Sequence, residues 1–304
     1  MTVAHTMVPL HLSGNTTEEQ NRRILEILSE TAQEACLAAI EQLDLGRARS
    51  VLDAEHLLRS EVGTYLLEVI HRYASCDKYI DEQVPSNRDY PPSYRVRPIE
   101  AQVSELRKIF PGLGSCMEKI ARLGLPVGAE NWFAVPRWQT LAESYNEALA
   151  RVLAEIAKRR KFQDRLGGKV GPTFLRQSER AKLAGGILAD QQTGNDILVL
   201  ALQFGRHHRG CSARRARVHM ESNEFALGAY EIACMLLVHP ERLSSGDSLM
   251  IDCGGDEYSL RGDYTFDRVP LFDYDLSGIE FSIFYEDRSR NLWGTPSGFL
   301  YKLV

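Results

Sequence analysis

No apolar run in this chain is long enough to cross a bilayer. Its most hydrophobic stretches, Ile197–Phe204 and Ile232–Val238, fall far short of the ~20 residues a spanning helix needs. The first residues, Met1 to Met7, hold no basic cluster followed by an apolar segment, so no signal peptide is expected. The six cysteines (Cys36, Cys76, Cys116, Cys211, Cys234, Cys253) are scattered without a C-x-x-C pair. That spacing excludes a disulfide framework and a zinc ribbon. A Gly-x-Ser-x-Gly elbow is missing, and Gly167-Gly168-Lys169 lacks the spacing of a phosphate-binding P-loop. Positive charge is also short: the formal net charge is -5, which disfavours a dedicated nucleic-acid partner. The expectation is a soluble chain made in the cytoplasm, without membrane insertion.

What is present is ordinary globular material, 44% hydrophobic and 25% charged over 304 residues, enough for about two domains. Thr16-x-x-Glu19 spells a capping box, in which hydroxyl and carboxylate satisfy each other's free amides. Ile24, Leu28, Ala32, Ala35, Ala39 and Leu43 follow at helical spacing, with Gly46 as the expected stop, and a second helix fits Ala54–Tyr73. Pro85, Pro91, Pro92 and Pro98 mark residues 84–98 as a linker, and Ile99–Phe110 reads as a helix. Residues 1–125 are therefore read as a helical region, available for assembly or tethering, and 126–304 as a second domain.

In that second domain Trp132–Val135 is a strand, Leu141–Arg160 a long helix and Leu175–Asp190 another. Ile197–Leu202 is continuous and apolar, the pattern of a strand buried on both faces. Helices are predicted over Ser212–Met220 and Ala226–Val238. Short strands then follow at Leu249–Cys253, Tyr258–Leu260, Tyr264–Phe266, Val269–Phe272, Ile279–Phe284 and Gly298–Leu303. The fold class is α+β, with a mixed and mostly antiparallel irregular sheet towards the end.

Three segments could carry chemistry. Gly254-Gly255-Asp256-Glu257-Tyr258 resembles the signature hairpin of diguanylate cyclases, whose glycines admit a nucleotide and whose acidic residue helps bind magnesium. The strand Ile197–Leu202 is followed by Gln203-Phe204-Gly205, without the second carboxylate such a site needs, so an acidic turn between strands is the preferred reading. The basic stretch from Arg206 to His219 offers Arg206, Arg209, Arg214, Arg215 and Arg217 to a phosphate or nucleic acid, or His207, His208, Cys211 and His219 to a metal. The spacing fits no standard zinc pattern, and a solvated face whose arginines pair with nearby carboxylates is preferred. Arg261-Gly262-Asp263 spells an adhesion tripeptide, a match that chance supplies in a chain of this length. Residues 272–293 mix Tyr, Asp, Ser, Arg, Asn and Phe without clean alternation, a composition suited to an adaptable contact surface. No catalytic residue, metal or cofactor is expected.

The order of further motifs adds a resemblance. Gly210-x-Ser212-x-x-x-Ala216, Asn223 to Tyr230, Leu236 to Glu241, Ile251 to Tyr258 and Gly294-Thr295-Pro296-Ser297-Gly298-Phe299-Leu300 occur in sequence. Together they resemble the variable proteins of diversity-generating retroelements, in the branch common in candidate-phyla bacteria and their mobile elements. The resemblance implies a C-type-lectin-like domain, in which a strand, two helices and an irregular sheet display a ligand surface. It also implies codons near the C-terminus rewritten at template adenines. The positions with the residue types this produces are Asp273, Tyr274, Asp275, Ser282, Phe284, Tyr285, Asp287, Arg288, Ser289, Arg290 and Asn291. Trp293 joins them as an exposed anchor, and Gly298-Phe299 would be the closing strand that anchors the sheet. Formylglycine-generating enzymes share the wider fold, but their catalytic cysteines lie near the C-terminus, and no cysteine follows Cys253. The function implied is non-enzymatic capture of an unidentified protein or cell-surface ligand. A nucleotide-binding or nucleotidyl-transfer domain and a mobile-element nucleic-acid binder are the alternatives.

Overall fold

The computed structural model describes residues 79–301 continuously, residues 43–55, and isolated positions between 22 and 62. The chain divides after Cys76 into two compact units. In the first, helix α1 (Leu45–Asp53) begins at Asp44, whose carboxylate accepts a hydrogen bond from the Arg47 amide at 2.9 Å. Gly46 therefore lies inside a helix and does not end one, because an aspartate two residues earlier caps a new start. The Thr16–Glu19 capping box and most of the Ala54–Tyr73 helix fall outside the described residues.

The second unit begins at residue 77, well before the expected boundary at 126, and includes the proline-rich stretch. Residues 84–98 are a packed strap, not a linker. The Val84 amide donates to Gly210, the Asp89 carbonyl accepts from Leu249, and Tyr94 is buried with its ring edge-on to Phe204 and His239. Proline forbids a regular ladder but not an extended segment tied down by side chains. Helix α2 (Ile99–Ile109) then packs Val103 and Leu106 inward, and a short 3-10 turn covers Glu118–Arg122.

Strand β1 (Asn131–Pro136), the short helix α3 (Trp138–Leu141) and helix α4 (Tyr145–Arg159) follow. The Ser144 hydroxyl accepts from the Glu147 amide, and Tyr145, Ala148, Leu149, Val152 and Ile156 form the buried stripe of α4. Next come β2 (Phe162–Asp164), β3 (Leu175–Gln177), α5 (Glu179–Gln191), β4 (Ile197–Gln203), α6 (Ala213–His219), β5 (Glu224–Ala226) and α7 (Ala229–Val238). The helix expected over Leu175–Asp190 is split, because Ser178 caps α5 and leaves Leu175–Gln177 to pair with a strand. Every residue of β4 is buried, as its unbroken apolar run requires. The end of the chain supplies β6 (Met250–Asp252), β7 (Asp256–Tyr258), β8 (Arg268–Asp275), β9 (Gly278–Tyr285), β10 (Trp293–Gly294) and β11 (Ser297–Phe299). Tyr264–Phe266, expected as a strand, is irregular, with Tyr264 at a φ of 64°.

The strands make two sheets. One is fully antiparallel in the order β1-β4-β11-β5. The other is mixed: β8 pairs β9 along its whole length and shares its opposite edge between β6 and β7, while β10, β3 and β2 extend the periphery. Helices and a mixed, largely antiparallel pair of sheets confirm the α+β class. Helix α7 packs against α4 and β1, burying every residue except Glu231. Among the described residues no helix is long and apolar enough to cross a membrane.

The three-residue strand β11 is the insertion that joins β4 to β5. At its centre a Cβ on Gly298 would lie 2.4 Å from the Phe225 ring and 2.9 Å from Leu202. Gly298→Ala should therefore lower unfolding free energy by about 1–3 kcal/mol through overpacking. Urea denaturation checks this, and an unchanged midpoint would mean that β11 is not held this tightly.

Candidate ligand-binding face

The long β8–β9 hairpin sets out the sequence-predicted positions, and its register sorts them. Arg268 faces Tyr285, Phe272 faces Phe281 and Tyr274 faces Ile279, so these pairs share one side of the hairpin. That side is core: Phe272, Phe281 and Ile279 are buried. Val269 faces Phe284, Leu271 faces Ser282 and Asp273 faces Glu280 on the other side. The twelve positions therefore do not form one face. Asp273, Ser282 and Phe284 point one way, Tyr274 and Tyr285 the other. Tyr285 and Asp275 terminate opposite ends of the hairpin, and seven residue steps at ~3.4 Å set Asp275 roughly 24 Å from the Tyr285 end.

Exposure divides them again. Asp275, Tyr285, Arg288, Arg290 and Asn291 are exposed, and Asp273, Tyr274, Ser282, Phe284, Asp287 and Ser289 are half-buried. Trp293, expected as an exposed anchor, is buried at 4%. Its strand pairs with β6, and its indole packs edge-on to Phe284 at 4.9 Å between ring centres, so it serves as a floor. Arg290 lies over both rings, 3.7 Å from the Phe284 centroid and 4.6 Å from that of Trp293. At the hairpin end the Arg268 guanidinium sits 3.4 Å from the Tyr285 centroid.

The loop after β9 is tethered by its first residue. The Glu286 carbonyl accepts from the Arg214 amide, and its carboxylate from Arg217. Beyond it Asp287, Arg288, Ser289 and Arg290 make no long-range side-chain hydrogen bond among the described residues, and at Asn291 the backbone carbonyl accepts from Ser86. The displayed side chains are thus spare, while the backbone beneath them is fixed.

Below this surface lies a group that sequence reasoning missed. Asp252 of β6 pairs with Leu271, which puts it on the same side as Ser282, and it is only 3% exposed. Its Oδ1 has no hydrogen-bond partner among the described residues. Burial pushes its pKa up to about 8, against the pull of Arg290 and Arg217. Only a polar residue inside a short strand signalled it, which is too common a pattern to single out.

The alternatives find their residues occupied elsewhere. Asp256 is fully buried, and its carboxylate caps helix α7 by accepting from the Ala229 amide at 2.7 Å and from the Tyr145 hydroxyl at 3.0 Å. Burial raises its pKa, helped by the Glu231 carboxylate. A Cβ on Gly255 would lie 2.5 Å from the backbone of residues 226–228, so that glycine permits close chain approach. Glu257 pairs with Arg176 at 2.7 Å. The arginines are engaged as well. Arg206 holds Asp89, Arg214 holds Glu82, Arg215 bonds Gln83 and the Tyr79 carbonyl, and Arg217 bonds the carbonyls of Gly254 and Asp256. Arg209 donates to the Arg88 carbonyl. A cavity of about 320 Å³ between α5, β4 and α7 is walled mainly by apolar side chains such as Trp138, Leu198 and Phe225, with Glu231 at its margin.

Stability should carry the signature of Asp252. Its folded pKa stands above the 3.8 of the free side chain, so between about pH 4 and 8 the folded state keeps a proton that the unfolded chain releases. Stability then falls as pH rises through that window, by up to about 1.4 kcal/mol per unit from this group. Asp252→Asn should flatten the slope and stabilise the protein near pH 8, with Glu231 and Asp256, also raised by burial, supplying what slope remains. Urea denaturation across the window checks it, and an unchanged slope would contradict it. Comparison with protein-family models, curated proteins and solved structures finds no match for this chain.

Proposed function

We propose that this protein is a non-enzymatic binder whose recognition surface is the loop 286–292 with the adjoining end of the β8–β9 hairpin. The observation that carries the reading is the separation of display from support. Arg288, Arg290, Asn291 and Tyr285 are exposed, while Trp293, Phe281, Glu286 and the hairpin ladder hold the backbone. Such an arrangement tolerates exchange of the outer side chains, because little folding energy depends on them. Tyr285 and Phe284 supply rigid aromatic area, and Asp287, Arg288 and Asn291 supply hydrogen-bonding and charge specificity.

The scaffold is proposed to be C-type-lectin-like. Two packed helices (α4 and α7), the buried strand β4 and a short closing strand β11 beneath an irregular sheet support this. The residue types at the displayed positions support diversification by a retroelement, with Asp275 the outlier in space. The partner class is a protein or cell-surface ligand met through this face.

Two variants separate display from support. Tyr285→Ala combined with Arg288→Ala should cost less than about 1 kcal/mol, since both are surface side chains and the Arg268–Tyr285 stack is exposed. Trp293→Ala should cost about 3–5 kcal/mol. Selecting binders to the wild type from a displayed random-peptide library and a glycan array gives the functional readout. The binders should be lost in the double variant at nearly unchanged melting temperature. A large fall in melting temperature for the double variant, or undiminished capture, would overturn the reading.

A further inference from the structure

His207 and His208 follow β4, and Glu224 opens β5. The sheet brings these ends together because β4 and β5 both pair with β11. One ligand-capable atom from each of the three residues lies within 4.8 Å of the others, the one such group among the described residues. His208 and Glu224 are 4% and 2% exposed, with His208 Nε2 2.8 Å from Glu224 Oε1. His207 is exposed. Its ring stands nearly perpendicular to that of His208 at 4.7 Å between centres and makes no hydrogen bond among the described residues.

We propose that His207, His208 and Glu224 bind a divalent transition metal of the zinc class, with a coordination position left open towards solvent. Two imidazoles and a carboxylate are a donor set this class favours. Ligand atoms around a tetrahedral zinc lie roughly 3.4 Å apart, so the mobile His207 ring has only a short distance to close.

The surroundings are built as an outer shell of ligand-orienting bonds. Ser297 of β11 donates to Glu224 Oε1, and Gln203 donates to Ser297 at 2.9 Å. The other end of the Gln203 amide accepts from the Gly205 amide at 2.6 Å and from the His207 amide at 3.3 Å. One glutamine thus positions the carboxylate through Ser297 and the exposed histidine through its backbone. Burial would raise the Glu224 pKa, but the bonds from His208 and Ser297 outweigh it and hold the group ionised, as a ligand must be. The nearby Arg206 charge is paired with Asp89, and the cleft that His207 shares with Gln83 and Glu130 gives an ion and a further donor access. This site does not depend on the ligand face proposed above.

The test is zinc(II) titrated calorimetrically into the full chain, with cobalt(II) absorption as a report of coordination. One equivalent should bind, cobalt should give visible d–d bands of a low-coordinate N/O site, and zinc should raise the melting temperature. His207→Ala removes an exposed ring and should leave the fold intact while weakening binding about tenfold or more and abolishing the cobalt bands. His208→Ala, which opens the buried pair, should lose binding even where it also loses stability. No uptake by the wild type, or one-equivalent uptake that His207→Ala leaves unchanged, would overturn the proposal.

Discussion

The insertion of β11 between β4 and β5 is the constraint on which the rest of this unit depends. Three residues complete the antiparallel sheet, and the fit is so close that only a glycine serves at Gly298, between the Phe225 ring and Leu202. Because β11 must reach the sheet interior, the preceding chain is drawn back across the molecule, and β10 is laid beside β6 on the way. The loop 286–292 is thereby strung between two fixed points, the hairpin end at Glu286 and the buried Trp293. Its backbone is held without help from its outer side chains. The same strand brings β4 and β5 side by side, which is why His208 meets Glu224 across sixteen residues.

A second constraint joins the layers. Helix α7 starts at Gly228 without a side-chain cap of its own, and the Asp256 carboxylate takes that role from another element. Its second contact, to Tyr145 at the start of α4, fastens two helix N-termini to one buried acid. The cluster of Asp256, Glu231 and Tyr145 is kept largely neutral by burial, each group's pKa being raised. A motif that reads in sequence as nucleotide chemistry is thus the tie between sheet and helices.

Local signals were legible where the physics is local. The continuous apolar run of β4, the serine caps before α4 and α6 and the apolar stripe of α4 depend on neighbours in sequence, and they appear within a few residues of their expected bounds. Features set by distant partners were not legible. Prolines at 85–98 report the absence of a regular ladder, but the packing of Tyr94 against Phe204 and His239 depends on residues over a hundred positions away. The same holds for Asp256 as a cap, for β3 split from α5, and for the short strand β5. In the candidate face, composition pointed to residues 272–293, yet only strand register shows that Asp273 and Tyr274 face opposite ways and that Trp293 lies beneath the surface. The group His207, His208 and Glu224 needed the sheet order, since Glu224 has no spacing relation to the histidine pair.

Diversified display is the central claim, and the most direct measurement is the DNA flanking the gene. A near-copy of the codons for about Phe272–Phe299, differing only at adenines and lying beside a reverse-transcriptase gene, is expected. The substitutions should fall on Phe284, Tyr285 and residues 287–291 and spare Trp293, Gly298 and Phe299. A flanking region without such a copy, or one whose differences fall on the buried supports, would contradict it.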